Sequence, residues 1–186
     1  MSALTDAVAR RSVWITLIVL ATVVGSLAFA CATPFAALAA LAALHMDRRD
    51  AFIFIGASWL ANQAVGFAFL DYPLTWDCLV GGMAIGAGAV LATGAASGVE
   101  MAAGSHRGVL TLLASFVAAF ASYQIVVHAI MAMQSSAPCE VSPEALMYVL
   151  KVNIVAFVGL LLLQRAGSRL GLVPSGRAGG LAVTTS

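Results

Sequence analysis

The sequence predicts an all-α integral membrane protein, a polytopic bundle of about six transmembrane helices. Of its 186 residues, 62% are hydrophobic and 9% are charged, whereas soluble domains carry roughly a quarter charged residues. The apolar residues also gather in runs long enough to cross a lipid bilayer. The net charge of +1 and the absence of any Lys/Arg cluster longer than two exclude the electrostatic footprint of a nucleic-acid-binding protein.

The first apolar run follows Arg10 and Arg11, as the core of a signal peptide would. It continues for about 18 residues, which is longer than a secretory signal core, so we expect a retained helix. The six predicted crossings lie at 13–31, 33–46, 51–70, 78–98, 108–134 and 144–164. Because a crossing needs about 20 apolar residues, the second run is short, and a re-entrant segment there would leave five crossings.

Loop charges favour six crossings with both termini in the cytoplasm. Basic residues then concentrate on the cytoplasmic side, which is the bias that orients helices during insertion. These basic residues are Arg10, Arg11, Arg48, Arg49, Arg107, Arg165, Arg169 and Arg177, and the outer loops carry Asp71, Asp77, Glu140 and Glu144. We therefore expect a cytoplasmic N-terminus at 1–12, a transmembrane domain at 13–164 and a flexible cytoplasmic tail at 165–186.

Small residues recur four positions apart, a spacing that lets membrane helices approach closely. The second run carries Ala36, Ala39, Ala40 and Ala43, and the fourth run carries Gly82, Gly86, Gly94 and Gly98. Two interpretations are open for these faces. They pack the helices of this chain together, or, for the alanine face, they dock another membrane protein.

Polar side chains fall at a common depth in three predicted helices. Counting 1.5 Å per residue from the predicted outer ends places them about 9–15 Å inside the membrane. Polar groups are costly there and usually face the bundle interior, where they meet a partner or a ligand. We predict a ligand site in this layer, formed by Trp59, Asn62, Gln63, Gln124, His128 and Lys151.

Each of these residues also has a purely structural interpretation. The amides can cross-link helices, and a single histidine can be a packing residue. Lys151 can extend its ammonium group to the lipid headgroups. Lys151 and Asn153 lie about 200° apart on a helix, so they cannot both face one cavity, and the sequence favours Lys151.

The loop after the third run is acidic and aromatic, which suits a lid over such a site. Its residues are Asp71, Tyr72, Trp76 and Asp77. A cavity below it, lined by amides, an imidazole and tryptophan, would fit a small molecule that is partly aromatic or anionic. Cys78 and Cys139 both fall at predicted outer positions, where an oxidising compartment would permit a disulfide or leave two separate thiols.

Catalytic and metal-binding patterns are missing from the sequence. It contains no H-E-x-x-H, no G-x-S-x-G and no phosphate-binding glycine loop, so we expect no enzymatic activity. No cluster of Cys, His or carboxylate residues has metal-ligand spacing, so we expect no metal or cofactor. No Asp or Glu lies deep in a predicted helix to relay protons, so any transport would draw its energy from a partner.

The overall arrangement resembles the substrate-binding S component of bacterial energy-coupling-factor transporters. The resemblance rests on a chain of this length with six predicted helices, both termini inside, an Ala-x-x-x-Ala face and an outward polar layer. It implies docking to a coupling subunit through Ala36, Ala39, Ala40 and Ala43, and a site containing Asn62, Gln63, His128 and Lys151. Ser2 stands where metal-transporting members carry histidine, which favours a vitamin-like organic molecule.

Two functions follow from these patterns. The first is a small-molecule binding and uptake subunit in a bacterial inner membrane. The second is a non-catalytic assembly or accessory subunit of a larger membrane complex. A binding subunit should hold polar groups around an outward-facing cavity, whereas an accessory subunit should have those groups bonded to one another.

Overall fold

The computed structural model describes residues 33–104, 108–134 and 142–169. Within these ranges the chain forms helices and no strand, which confirms the predicted all-α class. The helices are α1 (Phe35–His45), α2 (Arg48–Phe69), α3 (Trp76–Ala103), α4 (Val109–Ala132) and α5 (Pro143–Arg169). The first predicted crossing, 13–31, lies outside the described residues, and so do 170–186 of the predicted tail.

Four of these helices, α2 to α5, are long and apolar enough to cross a membrane. This chain is therefore a multi-pass membrane protein. α1 is different, because its 11 residues span only about 16 Å, against a hydrocarbon core of about 30 Å. Six crossings with both termini inside are thus not confirmed.

α3 runs antiparallel to both α2 and α4. Met131 of α4 lies against Gly81 near the start of α3, and Trp59 of α2 lies against Gly86 of α3. The two ends of the bundle consequently differ in charge, and we call them the arginine end and the acidic end. The arginine end carries Arg48, Arg49, Arg165 and Arg169 beside Asp47 and Asp50, and the acidic end carries Asp71, Asp77 and Glu144.

The short helix α1 occupies the centre of the bundle. Every residue from Phe35 to Ala43 is buried, and α1 packs against all four long helices. A helix that is apolar on all sides is suited to such a place. Its alanines are 0 to 3% exposed, so they present no surface to another protein, which favours internal packing over docking; the four are Ala36, Ala39, Ala40 and Ala43.

α1 begins part of the way along α5 and not beside either of its ends. The buried amide of Asn153 meets its first turn, where Oδ1 accepts a hydrogen bond from the Ala37 N–H at 3.2 Å. Asn153 lies about 15 Å along α5 from Pro143. The first N–H groups of any helix lack intrahelical partners, and lipid supplies none. Asn153 therefore caps a helix that starts near the middle of the bundle.

Candidate functional site

The predicted site residues of α2 pack on a glycine face of α3. The Trp59 indole Nε1–H donates to the Gly82 carbonyl at 2.8 Å. A methyl group at Gly86 would lie 2.7 Å from the Trp59 ring, and one at Gly82 would lie 2.6 Å from Gln63 Nε2. The glycine pair therefore packs two helices of this chain together, with Trp59 and Gln63 filling the space that the missing side chains leave.

Gln63 carries an amide nitrogen without a hydrogen-bond partner. Its Nε2 is shielded from solvent and bonded to no group. Leaving a buried donor unsatisfied costs about 1–3 kcal/mol, and such a group in a native structure requires an explanation. Its neighbour Asn62 is half-buried on the adjacent face of α2.

α4 contributes the other two polar residues of the predicted layer. Gln124 and His128 are both half-buried, and Nδ1 of His128 is shielded from solvent without a partner. α2 approaches α3 at Gly82 and α4 approaches it at Gly81, two faces about 100° apart. The described contacts place the Gln63 nitrogen between α2 and α3, and none of them joins it to His128.

α5 presents its two polar residues in the reverse of the expected order. Lys151, favoured from the sequence as the interior residue, is exposed. Asn153 is 0% exposed and bonds to α1 and, through Nδ2, to the Val149 carbonyl at 3.0 Å. The physical reason is that α5 packs mainly on α1, and the face toward α1 is the one that carries Asn153.

The predicted lid loop folds back on the end of α2. The Tyr72 N–H donates to the Gly66 carbonyl at 3.2 Å, and its ring occupies the space that a side chain at position 66 would need. The same ring meets Phe67 edge-on, with 6.2 Å between centroids. Gly66 lies about one turn above Gln63, so Tyr72 covers the acidic end of the α2 polar face.

The remaining loop residues are more open. Asp71 adopts a φ of 52°, in the left-handed region that Asp tolerates better than most residues, and this turns the chain back toward Gly66. Asp71, Trp76 and Asp77 are exposed. Cys78 is half-buried and free within the described residues, and Cys139 lies outside them, so their pairing stays a prediction.

Sequence reasoning missed a buried polar cluster near the arginine end. We expected no carboxylate inside a helix, because the fourth run was predicted to end at 98. α3 continues to Ala103 and buries Glu100, which is 8% exposed. Thr93, Ser97 and Glu100 have the spacing i, i+4 and i+7 of one helix face, and this spacing could have shown that the helix continues. The members of the cluster are Thr93, Ser97 and Glu100 on α3, and Thr111 and Ser115 on α4.

The small cavity that the described residues form lies at the arginine end, whereas the sequence predicted one at the acidic end. It measures about 40 Å³ and is mostly aliphatic; its lining residues are Leu38, Leu41, Ala42, His45, Met46, Phe54, Leu160, Leu163 and Gln164. Sites for drug-sized molecules measure about 300–1,000 Å³. This cavity is therefore too small for a vitamin-like ligand.

Two further observations bear on identity. Within the described ranges, no three side chains of His, Cys, Asp or Glu come together as a metal site requires. Comparison with protein-family models, curated proteins and solved structures gives no match for this chain.

Proposed function

We propose that this membrane protein binds a small organic molecule in the acidic half of the bundle, at the polar face of α2. The observation that carries the proposal is the Gln63 amide, whose Nε2 is buried without a hydrogen-bond partner. Gln63 lies about 9 Å from the end of α2 at Phe69, with Trp59 below it and Tyr72 above it. A ligand that reached this amide would satisfy a donor that the folded chain leaves unpaired.

The chemistry of these residues limits the kind of molecule. An unpaired N–H requires an acceptor, such as a carbonyl oxygen, a carboxylate or a ring nitrogen. The neighbouring indole and phenol rings offer flat surfaces for stacking. Asp71 and Asp77 near the entrance oppose a strongly anionic molecule. We therefore expect a neutral or weakly charged heteroaromatic compound with a hydrogen-bond acceptor at its edge.

Uptake of such a molecule would depend on a partner. The sequence carries no nucleotide-binding motif, and the described helices show no pair of matched broken helices of the kind secondary transporters use. In the energy-coupling-factor transporters that the sequence resembles, a coupling subunit supplies the energy. The protein would accordingly be a subunit that binds a vitamin-like molecule in a bacterial plasma membrane.

A thermal-shift experiment tests the binding function. The purified full-length chain in detergent is heated with a panel of water-soluble vitamins and their precursors, and its melting temperature is followed by tryptophan fluorescence. A ligand at 100 times its Kd should stabilise the folded state by about 2.7 kcal/mol. We expect this stabilisation in the natural chain and its loss in Gln63→Leu, because leucine keeps the packing volume and removes the donor.

Gln164→Leu is the matched control. It makes the same chemical change at a half-buried glutamine near the arginine end, and it should retain the ligand-induced shift. A ligand that stabilises Gln63→Leu as much as the natural chain would remove the site from α2. A panel without any stabilising compound would count against the function itself.

The alternative function, an accessory subunit of a larger complex, makes a different demand on the polar layer. Its polar groups should bond to one another, since nothing else would satisfy them. The Trp59 indole is bonded within the chain, to the Gly82 carbonyl. Gln63 Nε2 and His128 Nδ1 are bonded to no group of the chain. Those two nitrogens support the binding function, whereas the cavity formed by the described residues lies at the other end of the bundle and gives it no support.

A further inference from the structure

α5 leaves a continuous face that the other described helices do not cover. Only 17% of its most apolar 18-residue window is buried. Its inward face carries Val152, Asn153 and Phe157, which pack toward α1 and α4. The outward residues at helical spacing are exposed, and we call them the α5 stripe: Met147, Lys151, Val155, Gly159 and Leu162.

The α5 stripe contains a charge within a helix that is long and apolar enough to cross the membrane. Lys151 lies about 12 Å along α5 from Pro143. Ionisable side chains within membrane helices usually face a bundle interior and pair there. Lys151 is exposed on this chain, so the interior that would suit it is one formed with another helix.

Gly159 gives the same face a second feature of a helix interface. It lies eight residues after Lys151 on the stripe, and nothing occupies the space within 4 Å of the position its side chain would take. Small residues at exposed positions let a second backbone come close, which is how membrane helices associate without a hydrophobic driving force.

Charge complementarity decides which partner fits. A second copy of this chain, related by a two-fold axis along the membrane normal, would place Lys151 against its own counterpart, and like charges in apolar surroundings repel strongly. Among the described acidic residues of the chain, none lies at this depth. Asp71, Asp77 and Glu144 lie at the acidic end, whereas Asp47, Asp50 and Glu100 lie at or near the arginine end.

We propose that the α5 stripe docks a transmembrane helix of a different protein, and that this helix carries an Asp or Glu side chain opposite Lys151. Gly159 admits the partner backbone and Lys151 fixes its depth. The proposal does not depend on the small-molecule site on α2. It moves the partner-binding surface from the buried alanine face of α1 to the opposite side of α5.

The sequence offers a direct chemical test, because Lys151 is the single lysine of the chain. A membrane-permeable carbodiimide joins an amine to a carboxylate in contact with it, forming an amide bond as the activated carboxyl oxygen leaves with the reagent as a urea. Native membranes are treated with dicyclohexylcarbodiimide and digested, and peptides linked through residue 151 are sequenced by mass spectrometry. We expect a link to an Asp or Glu inside a transmembrane segment of another protein.

Variants separate docking from mere exposure. Lys151→Arg keeps the charge but gives no amide, so it should lose the cross-link and keep the size of the digitonin-solubilised assembly on a native gel. Lys151→Met and Gly159→Leu should both reduce the assembly to the free chain. Ala87→Leu adds the same bulk at an exposed position of α3 and should leave the assembly intact.

Three outcomes would overturn the proposal. One is a link from Lys151 to Glu144 of the same chain, and a second is a link to another copy of it. The third is the absence of any link together with unchanged migration of Lys151→Met, which would mean that the ammonium group reaches the lipid headgroups. The thermal-shift result for Gln63→Leu has no bearing on these three outcomes. Either proposal can therefore fail while the other holds.

Discussion

Asn153 forms two hydrogen bonds in the buried interior of the bundle. Its Oδ1 accepts from the Ala37 N–H and its Nδ2 donates to the Val149 carbonyl. Both polar atoms of the side-chain amide are therefore bonded to backbone groups. The sequence showed that either Lys151 or Asn153 would face inward. It could not decide between them, because that choice depends on which side of α5 the neighbouring helices pack.

Replacing Asn153 with leucine should destabilise the protein. The change leaves the Ala37 N–H buried and unpaired, at a cost of about 1–3 kcal/mol. Titration of detergent micelles with sodium dodecyl sulfate measures the unfolding free energy. Ser168→Ala is the control, since its exposed hydroxyl bonds only to the Gln164 carbonyl one turn back, and we expect a change of less than about 0.5 kcal/mol there. Equal effects of the two changes would contradict the capping role.

Gln63→Leu should have the opposite effect on the ligand-free protein. Its Nε2 is buried without a partner, so removing the donor relieves a penalty of about 1–3 kcal/mol. The same titration, carried out without ligand, should show equal or higher stability than the natural chain. A marked loss of stability would instead indicate that Gln63 holds α2 and α3 together. The role of Gln63 would then be structural.

At the scale of elements, α3 shows what glycine spacing predicts and what it does not. Gly82 and Gly86 pack against α2, as the four-residue spacing predicted. Gly94 and Gly98 have the same spacing, yet nothing lies within 4 Å of their open positions. The sequence identifies helix faces that permit close contact. Which of them is used depends on where the next helix crosses.

The two kinds of glycine should therefore respond differently to alanine. In Gly86→Ala the added methyl group meets the Trp59 ring at 2.7 Å, so the ring must shift from the Gly82 carbonyl, and we expect a loss of about 1–3 kcal/mol. In Gly94→Ala the methyl group meets open space, and the higher helix propensity of alanine should leave stability unchanged or raise it by up to about 1 kcal/mol. Unfolding titrations of both variants test this difference, and a neutral Gly86→Ala would contradict the packing described for Trp59.

For the whole molecule, composition was sufficient to predict an all-helical membrane protein, and hydropathy located all five described helices to within a few residues. It did not show that the run at 33–46 holds a helix of only 11 residues. Hydropathy cannot distinguish a helix that faces lipid from one that is enclosed by other helices. Pro34 and Asp47 do bracket the short element in the sequence.

Cysteine labelling on intact cells tests this arrangement. In a background without the three native cysteines, Glu144→Cys should react with a membrane-impermeant maleimide from one side and Ser168→Cys only from the other. Thr33→Cys, just before α1, should react from neither side, because Thr33 is buried at the depth of Asn153. If 33–46 crossed the membrane completely, Thr33→Cys would label as readily as Glu144→Cys, and α1 would not begin in mid-membrane.

The cap on α1 also has a consequence for biogenesis. Ala37 and Asn153 are 116 positions apart. The start of α1 is therefore synthesised long before Asn153, which accepts the hydrogen bond from its first turn. During that interval an apolar segment, too short to span the bilayer alone, has an open first turn. Insertion of α5 is therefore the step that completes the hydrogen bonding of this early segment. A nascent chain arrested before α5 should remain exposed to membrane quality-control proteases, however many of its other helices have already entered the lipid.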